Sequence, residues 1–208
     1  IRRQRQMCIR DSYCEEDRPG FWKSRGLDVT TCYHVRFNPA DPKEIFICYT
    51  DIGLFKSIDG GFSWKHAVNG SPWPYNCYDI VFDPNNPRRI YGAFSNKHDL
   101  PGKLTFSEKW TGGICISTDG GMNWRSLERA GVPNGPATSI VIDPDTSGGN
   151  AILYATIMGY GVYKSSDGGR SWERKNTGLE RENLNCWRIY LVTWTRSGNQ
   201  GKRGRIQA

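Results

Sequence analysis

Chemistry on this chain has to be sought among acids, imidazoles and aromatic rings that stand outside any repeated pattern. Asp51, in Thr50-Asp51-Ile52-Gly53, is a carboxylate between a hydroxyl residue and a glycine, the composition of a tight loop. A second concentration lies in residues 95–112, which hold Asn96, Lys97, His98, Asp99, Glu108 and Trp110. His98 and Asp99 are side chains that move protons or bind hydroxyl groups, and Trp110 offers a face that can stack on a pyranose ring. Trp73, Tyr75, Asn76, Tyr160 and Asn183 are further groups suited to such a ligand. Asp51 is the one candidate carboxylate; its bland reading is an ordinary polar hairpin residue.

Metal and cofactor chemistry are not indicated. The seven cysteines include no Cys-x-x-Cys pair, and His34, His66 and His98 are scattered. Disulfides are possible but no pairing is assigned. The net charge of +7 raises the question of nucleic acid. It resides in two tails: Arg2, Arg3, Arg5 and Arg10 against Asp11, and Arg196, Lys202, Arg203 and Arg205 with no acid. The stretch between them is neutral, so no nucleic-acid partner is expected. No run approaches the roughly 20 apolar residues of a membrane helix, and no signal peptide is recognised.

The elements that must position these residues follow from an internal repeat. Ser57-Ile58-Asp59-Gly60-Gly61-Phe62-Ser63-Trp64 recurs as Ser117-Thr118-Asp119-Gly120-Gly121-Met122-Asn123-Trp124 and as Ser165-Ser166-Asp167-Gly168-Gly169-Arg170-Ser171-Trp172. The common form, Ser-x-Asp-Gly-Gly-x-x-Trp, reads as a hairpin corner. Asp accepts hydrogen bonds from the turn it opens, Gly-Gly supplies positive φ, and Trp leads into the next strand. A second pattern precedes each copy: Cys32-Tyr33-His34-Val35-Arg36-Phe37-Asn38-Pro39, then Cys77-Tyr78-Asp79-Ile80-Val81-Phe82-Asp83-Pro84, then Thr138-Ser139-Ile140-Val141-Ile142-Asp143-Pro144. Its opening returns as Cys186-Trp187-Arg188-Ile189. Each reads as a strand ending in an Asx-Pro turn. Cys32, Cys77 and Cys186 then read as small buried strand residues.

Second strands are predicted over 44–49, 89–94 and 151–156, and third strands over 53–57, 113–117 and 161–165. The fold class is therefore all-β, a partial β-propeller of four-stranded antiparallel blades. Three complete blades (31–67, 75–127, 137–175) are flanked by a strand at 21–25 and another at 184–190. Propellers close with about 4 to 8 blades, which predicts further blades in the parent protein and exposed edges on this piece. Residues 1–20 and 191–208 read as tails, disordered, truncated or non-native, with 21–190 as the propeller; Met7-Cys8-Ile9-Arg10-Asp11-Ser12 is similar to a translated sequencing adapter.

The octapeptide resembles the Asp-box, or BNR, repeat of sialidases, sortilin-type receptors, photosystem assembly factors and xyloglucan-cleaving family-74 glycoside hydrolases. The likeness runs over residues 21–188. It implies that Asp59, Trp64, Asp119, Trp124, Asp167 and Trp172 are structural and lie at the end of the blades away from the ligand. It also implies an exported protein, extracellular or periplasmic, with carbohydrate as partner. The alternative it leaves open is a non-catalytic propeller binding a protein or peptide. Thr50-Asp51-Ile52-Gly53 is similar to the segment that carries a catalytic carboxylate in family-74 endoglucanases, with Leu54 where a second glycine is common. In that arrangement the partner acid comes from another part of the chain. His98, Asp99, Trp110, Trp73, Tyr75 and Tyr160 become candidates for substrate contact. A sialidase would need three arginines and a tyrosine nucleophile; Arg88, Arg89 and Arg188 read instead as turn or strand-exit residues.

Overall fold

Each octapeptide builds the same corner, and the corner explains the sheets. In the first copy the Ser57 hydroxyl donates to Asp59 Oδ1 (2.8 Å) and accepts from Gly61 N (2.9 Å), while Asp59 Oδ1 accepts from Ser63 N (2.9 Å). The same three bonds recur around Asp119 and Asp167. The six glycines of the three corners all have positive φ, the region where a Cβ is strained. Desolvation pulls these carboxyls upward. Hydrogen bonds from Ser63, Asn123 or Ser171 and from the turn backbone outweigh it and hold all three at about 2.

The computed structural model describes residues 13–25, 30–100, 107–127, 130–179, 187–194 and 203–207. A hairpin of β1 (Tyr13–Arg18) and β2 (Phe21–Arg25) comes first. The first blade is β3 (Cys32–Asn38), β4 (Asp41–Tyr49), β5 (Leu54–Ser57) and β6 (Lys65–His66). The second is β7 (Asn76–Asp83), β8 (Asn86–Ser95), β9 (Gly112–Ser117) and β10 (Arg125–Ser126). The third is β11 (Ala137–Ile142), β12 (Leu153–Ile157), β13 (Gly161–Ser165) and β14 (Glu173–Arg174). A last hairpin pairs β15 (Tyr190–Trp194) with β16 (Arg203–Gln207). Every sheet is an antiparallel meander.

Three expectations are corrected. Residues 13–18, assigned above to a tail, form a strand, because Pro19-Gly20 closes a turn with Gly20 at φ 77° and the Glu16 carboxylate accepts from Gly20 N. The closing strand starts at Tyr190 rather than 184 and extends into the second presumed tail; Trp187–Ile189 are not strand, and 184–186 lie outside the described residues. Cys32 is exposed, whereas Cys77 is buried as expected and Cys186 lies outside the described residues. Cys32, Cys48, Cys77 and Cys115 form no disulfide among the described residues.

The apolar cores sit between blades. Phe46, Cys48 and Leu54 of the first pack on Ile80, Ile90, Phe94 and Cys115 of the second. Tyr91 and Ile114 of the second pack on Ile140, Leu153 and Ile157 of the third. The corners stitch across the same boundaries. Trp64, Trp124 and Trp172 each donate a backbone N–H backward, to Trp22 O (2.9 Å), Asn69 O (2.8 Å) and Ala130 O (2.7 Å). Lys56 Nζ donates to Gly120 O (2.7 Å), and the Tyr91 hydroxyl to Gly168 O (3.1 Å), each reaching the corner of the following blade.

The innermost strands place His34, Asp79 and Ser139 at one register position. Asp79 is 2% exposed. It accepts from Arg36 Nη2 (2.6 Å) and Ser139 Oγ (3.2 Å). His34 Nδ1 lies 2.9 Å from Tyr78 O, so that nitrogen donates and Nε2 accepts from Arg188 Nη2 at 2.9 Å. Val35 and Phe37 of β3 are exposed apolar residues, as an unpartnered blade edge predicts.

Candidate functional site at the loop end of the blades

In a meander, alternate connections fall at opposite ends. The octapeptide corners and the Asx turns share one end; the Asx turns are built by Asn38, Asp83 and Asp143 accepting from Ala40, Asn85 and Asp145 N–H groups. The β4–β5 and β8–β9 loops, and the links between blades, share the other.

Asp51 occupies the β4–β5 turn at φ 66°. Asn76, at the start of β7, holds it there: one amide oxygen accepts from Thr50 Oγ1 and from Asp51 N, both at 2.9 Å. The Asn76 amide nitrogen donates to Ser95 O (3.2 Å), tying the turn to the end of β8. His66 braces the turn from β6, with Nε2 donating to Ile52 O (2.9 Å); burial shifts its pKa downward. Asp51 itself remains half open to solvent, with its side chain 49% exposed.

The β8–β9 loop carries His98 and Asp99 to the same place. The Tyr78 hydroxyl donates to Lys97 O (2.6 Å), and the Asn96 side chain accepts from Thr111 N (2.9 Å), closing the base of the loop. His98 Nδ1 lies 2.7 Å from Asp99 Oδ2 and 3.7 Å from Asp51 Oδ1. Asp99, like Asp51, has positive φ (53°). The structure thus sets an imidazole between two carboxylates that come from neighbouring blades, an arrangement suited to proton transfer or to holding sugar hydroxyls.

Beside this group is an aromatic wall. Tyr33 and Tyr78 lie 4.7 Å apart, and Trp187 packs edge-on to both at 5.7 and 5.4 Å. Trp110 packs on the same cluster, with Lys97 Nζ 5.9 Å from its ring. The Tyr33 phenol is pushed up to about 12, first by burial and then by the charges of Asp99 and Asp51, against the hydrogen bond with Tyr78. It stays protonated at neutral pH, a neutral donor whose ionisation both acids oppose.

The other predicted contacts separate. Trp73 is 5% exposed within the core between the first two blades, its indole N–H donating to Thr111 Oγ1 (3.2 Å). Its ring packs on Gly113, where a Cβ would come within 2.9 Å, so it fills a gap rather than facing a ligand. Tyr160 lies half-buried against the third-blade core and Gly135. Tyr75 is exposed, and Asn183 lies outside the described residues. Arg89 pairs with Asp83 and Arg188 with His34, so the arginines do not converge. An open groove of about 740 Å³ follows the inner strands, lined among others by Arg36, Phe37, Asp79 and Arg188, away from Asp51 and His98.

Tyr33, Tyr78 and Trp187 were not singled out from sequence, although a signal existed: an aromatic residue follows Cys32, Cys77 and Cys186 at the opening of the repeated strand.

No family model matches the chain. A probable oligoxyloglucan-reducing end-specific xyloglucanase of Neosartorya fischeri is 32% identical over 94 residues, which is 43% of this chain and 10% of that protein. An ancestral enzyme of glycoside hydrolase family 74 superposes with a TM-score of 0.54 at 27% identity, over 74% of this chain and 20% of that one. The family-74 xyloglucanase of Xanthomonas campestris gives a TM-score of 0.58 at 16% identity, over 81% of this chain and 26% of the enzyme. The chain therefore spans about a tenth of its curated relative and a fifth to a quarter of these two structures. It has the all-β, four-stranded-blade fold of the family-74 glycoside hydrolase propellers.

Proposed function

We propose that this chain is part of an exported Asp-box propeller that hydrolyses a β-glucan of the xyloglucan type, with Asp51 as one of the two reacting carboxyl groups. The observation that carries the reading is the setting of Asp51. It is held at positive φ by Asn76, half exposed at the end of the blades opposite the corners, beside a second acid and an aromatic wall. Strained backbone around an exposed acid is a feature of sites rather than of scaffold. The resemblance to a xyloglucanase, and the Thr-Asp-Ile-Gly segment, support the choice of substrate class.

The role suited to Asp51 is attack on, or delivery of water to, the anomeric carbon while another carboxyl protonates the leaving oxygen. Tyr33 and Trp110 would flank the sugar. The test is Asp51→Asn in the full-length protein, assayed on xyloglucan. Loss of a reacting carboxylate lowers kcat by about a hundredfold or more. Unchanged hydrolysis discards the assignment, and glycan binding without any hydrolysis by the wild type moves the protein to a binding role.

A further inference from the structure

We infer that His98 is a positioning residue for Asp51, anchored by Asp99, so that the reacting carboxylate of one blade is set by the loop of the next. The inference deepens the function proposed above and rests on it.

Two observations carry it. Among the described residues, Asp51 and Asp99 are the two non-glycine residues with positive φ, at 66° and 53°. Left-handed backbone at a residue with a Cβ is strained and persists where its surroundings over-determine it. Both strained residues aim their carboxylates at one nitrogen, His98 Nδ1, at 3.7 and 2.7 Å. Two unrelated loops have thus each accepted strain, and the strain converges on a single imidazole.

The geometry assigns unequal roles. At 2.7 Å, Asp99 holds the Nδ1 proton and fixes the plane of the ring. At 3.7 Å, Asp51 is beyond hydrogen-bond length and keeps both oxygens for water or sugar, while the positive end of the Nδ1–H dipole draws its near oxygen and limits how far the side chain turns. The Tyr33 phenol on β3 feels the charge of both acids, and Lys97 lies over the Trp110 ring. A carboxylate on an exposed turn would otherwise sample several rotamers, and misplacement by about 1 Å can cost a hundredfold in rate.

The test is made in the full-length protein on a xyloglucan oligosaccharide, with kcat and KM measured separately. His98→Ala should lower kcat by about tenfold to a hundredfold and leave KM within about twofold. His98→Asn, which puts an N–H donor where Nδ1 stood, should restore most of the loss; His98→Gln, whose donor falls at the Nε2 place, should not. In an Asp51→Asn background the effect of His98→Ala should vanish, since there is no carboxylate left to position. Independently of activity, the imidazole ¹⁵N shifts of His98 should change on Asp51→Asn. Equal rates for all His98 variants, a loss confined to KM, or unchanged imidazole shifts overturn the positioning role alone. Full activity of Asp51→Asn overturns the parent reading, and this inference with it.

Discussion

The two ends of the blades solve the same backbone problem with different residues. At the corner end, positive φ falls on glycine every time: Gly60 and Gly61, Gly120 and Gly121, Gly168 and Gly169. At the loop end the third blade also uses glycine, Gly159 at φ 81°, in the turn that matches the one holding Asp51. The first blade puts Asp51 there instead, and the second blade adds Asp99 in a longer loop. Three identical corners carry scaffold, because each blade needs the same one. Three different loops are where chemistry can be lodged, and the exchange of glycine for aspartate marks the spot.

The sharpest way to break this comparison is to put a side chain at the corner end. A Cβ on Gly121 would come within 2.7 Å of Phe46, and one on Gly169 within 2.9 Å of Leu127, both in the preceding blade. Gly121→Ala should cost about 3 kcal/mol, combining left-handed strain with overpacking, as read from urea unfolding midpoints. A loss under about 1 kcal/mol would mean that the corners do not pack between blades. Acid comes next. The corner carboxyls have pKa values lowered on folding to about 2, so their stabilisation is complete above the usual carboxylate range and is lost as pH falls from about 4 toward 2. After allowance for their partial exposure each contributes about 1 kcal/mol. Asp119→Asn should reduce the fall of the unfolding midpoint over that window by about a third, since it removes one of the three corner carboxyls. The smallest effect has the opposite sign: Asp51→Gly should raise stability by about 0.5 kcal/mol, by relieving left-handed strain at some expense in chain entropy. A clear loss there would show that Asp51 serves the scaffold.

The corners and the strands they join were legible because turn chemistry is local. Asp59, Asp119 and Asp167 meet partners within four residues, and the Asx turns within two. Within the three blades strand limits moved by at most three residues for the same reason. The site was legible as residue types but not as an arrangement. Asp51 and His98 lie in different blades, and the β8–β9 loop is too long for its tip to be placed by pattern. Trp73 misled because a large aromatic between two blades is a residue type suited to a sugar, whereas here Gly113 makes room for it in the core. The strand β1 was missed because Tyr13–Arg18 lacks apolar alternation; Pro19-Gly20 was the signal that remained.

The backward bonds of Trp64, Trp124 and Trp172 bear on how such chains can grow. Each corner is completed by a carbonyl from the sheet before it or from the link that follows that sheet, and two of them by a side chain as well. A duplication copying one whole sheet would insert a corner whose partners must already be present on its new neighbour. One that cut inside a sheet would carry half of each joint along. The heritable module is therefore the seam between sheets, and tolerance to shuffling should be greatest where breakpoints leave that seam whole.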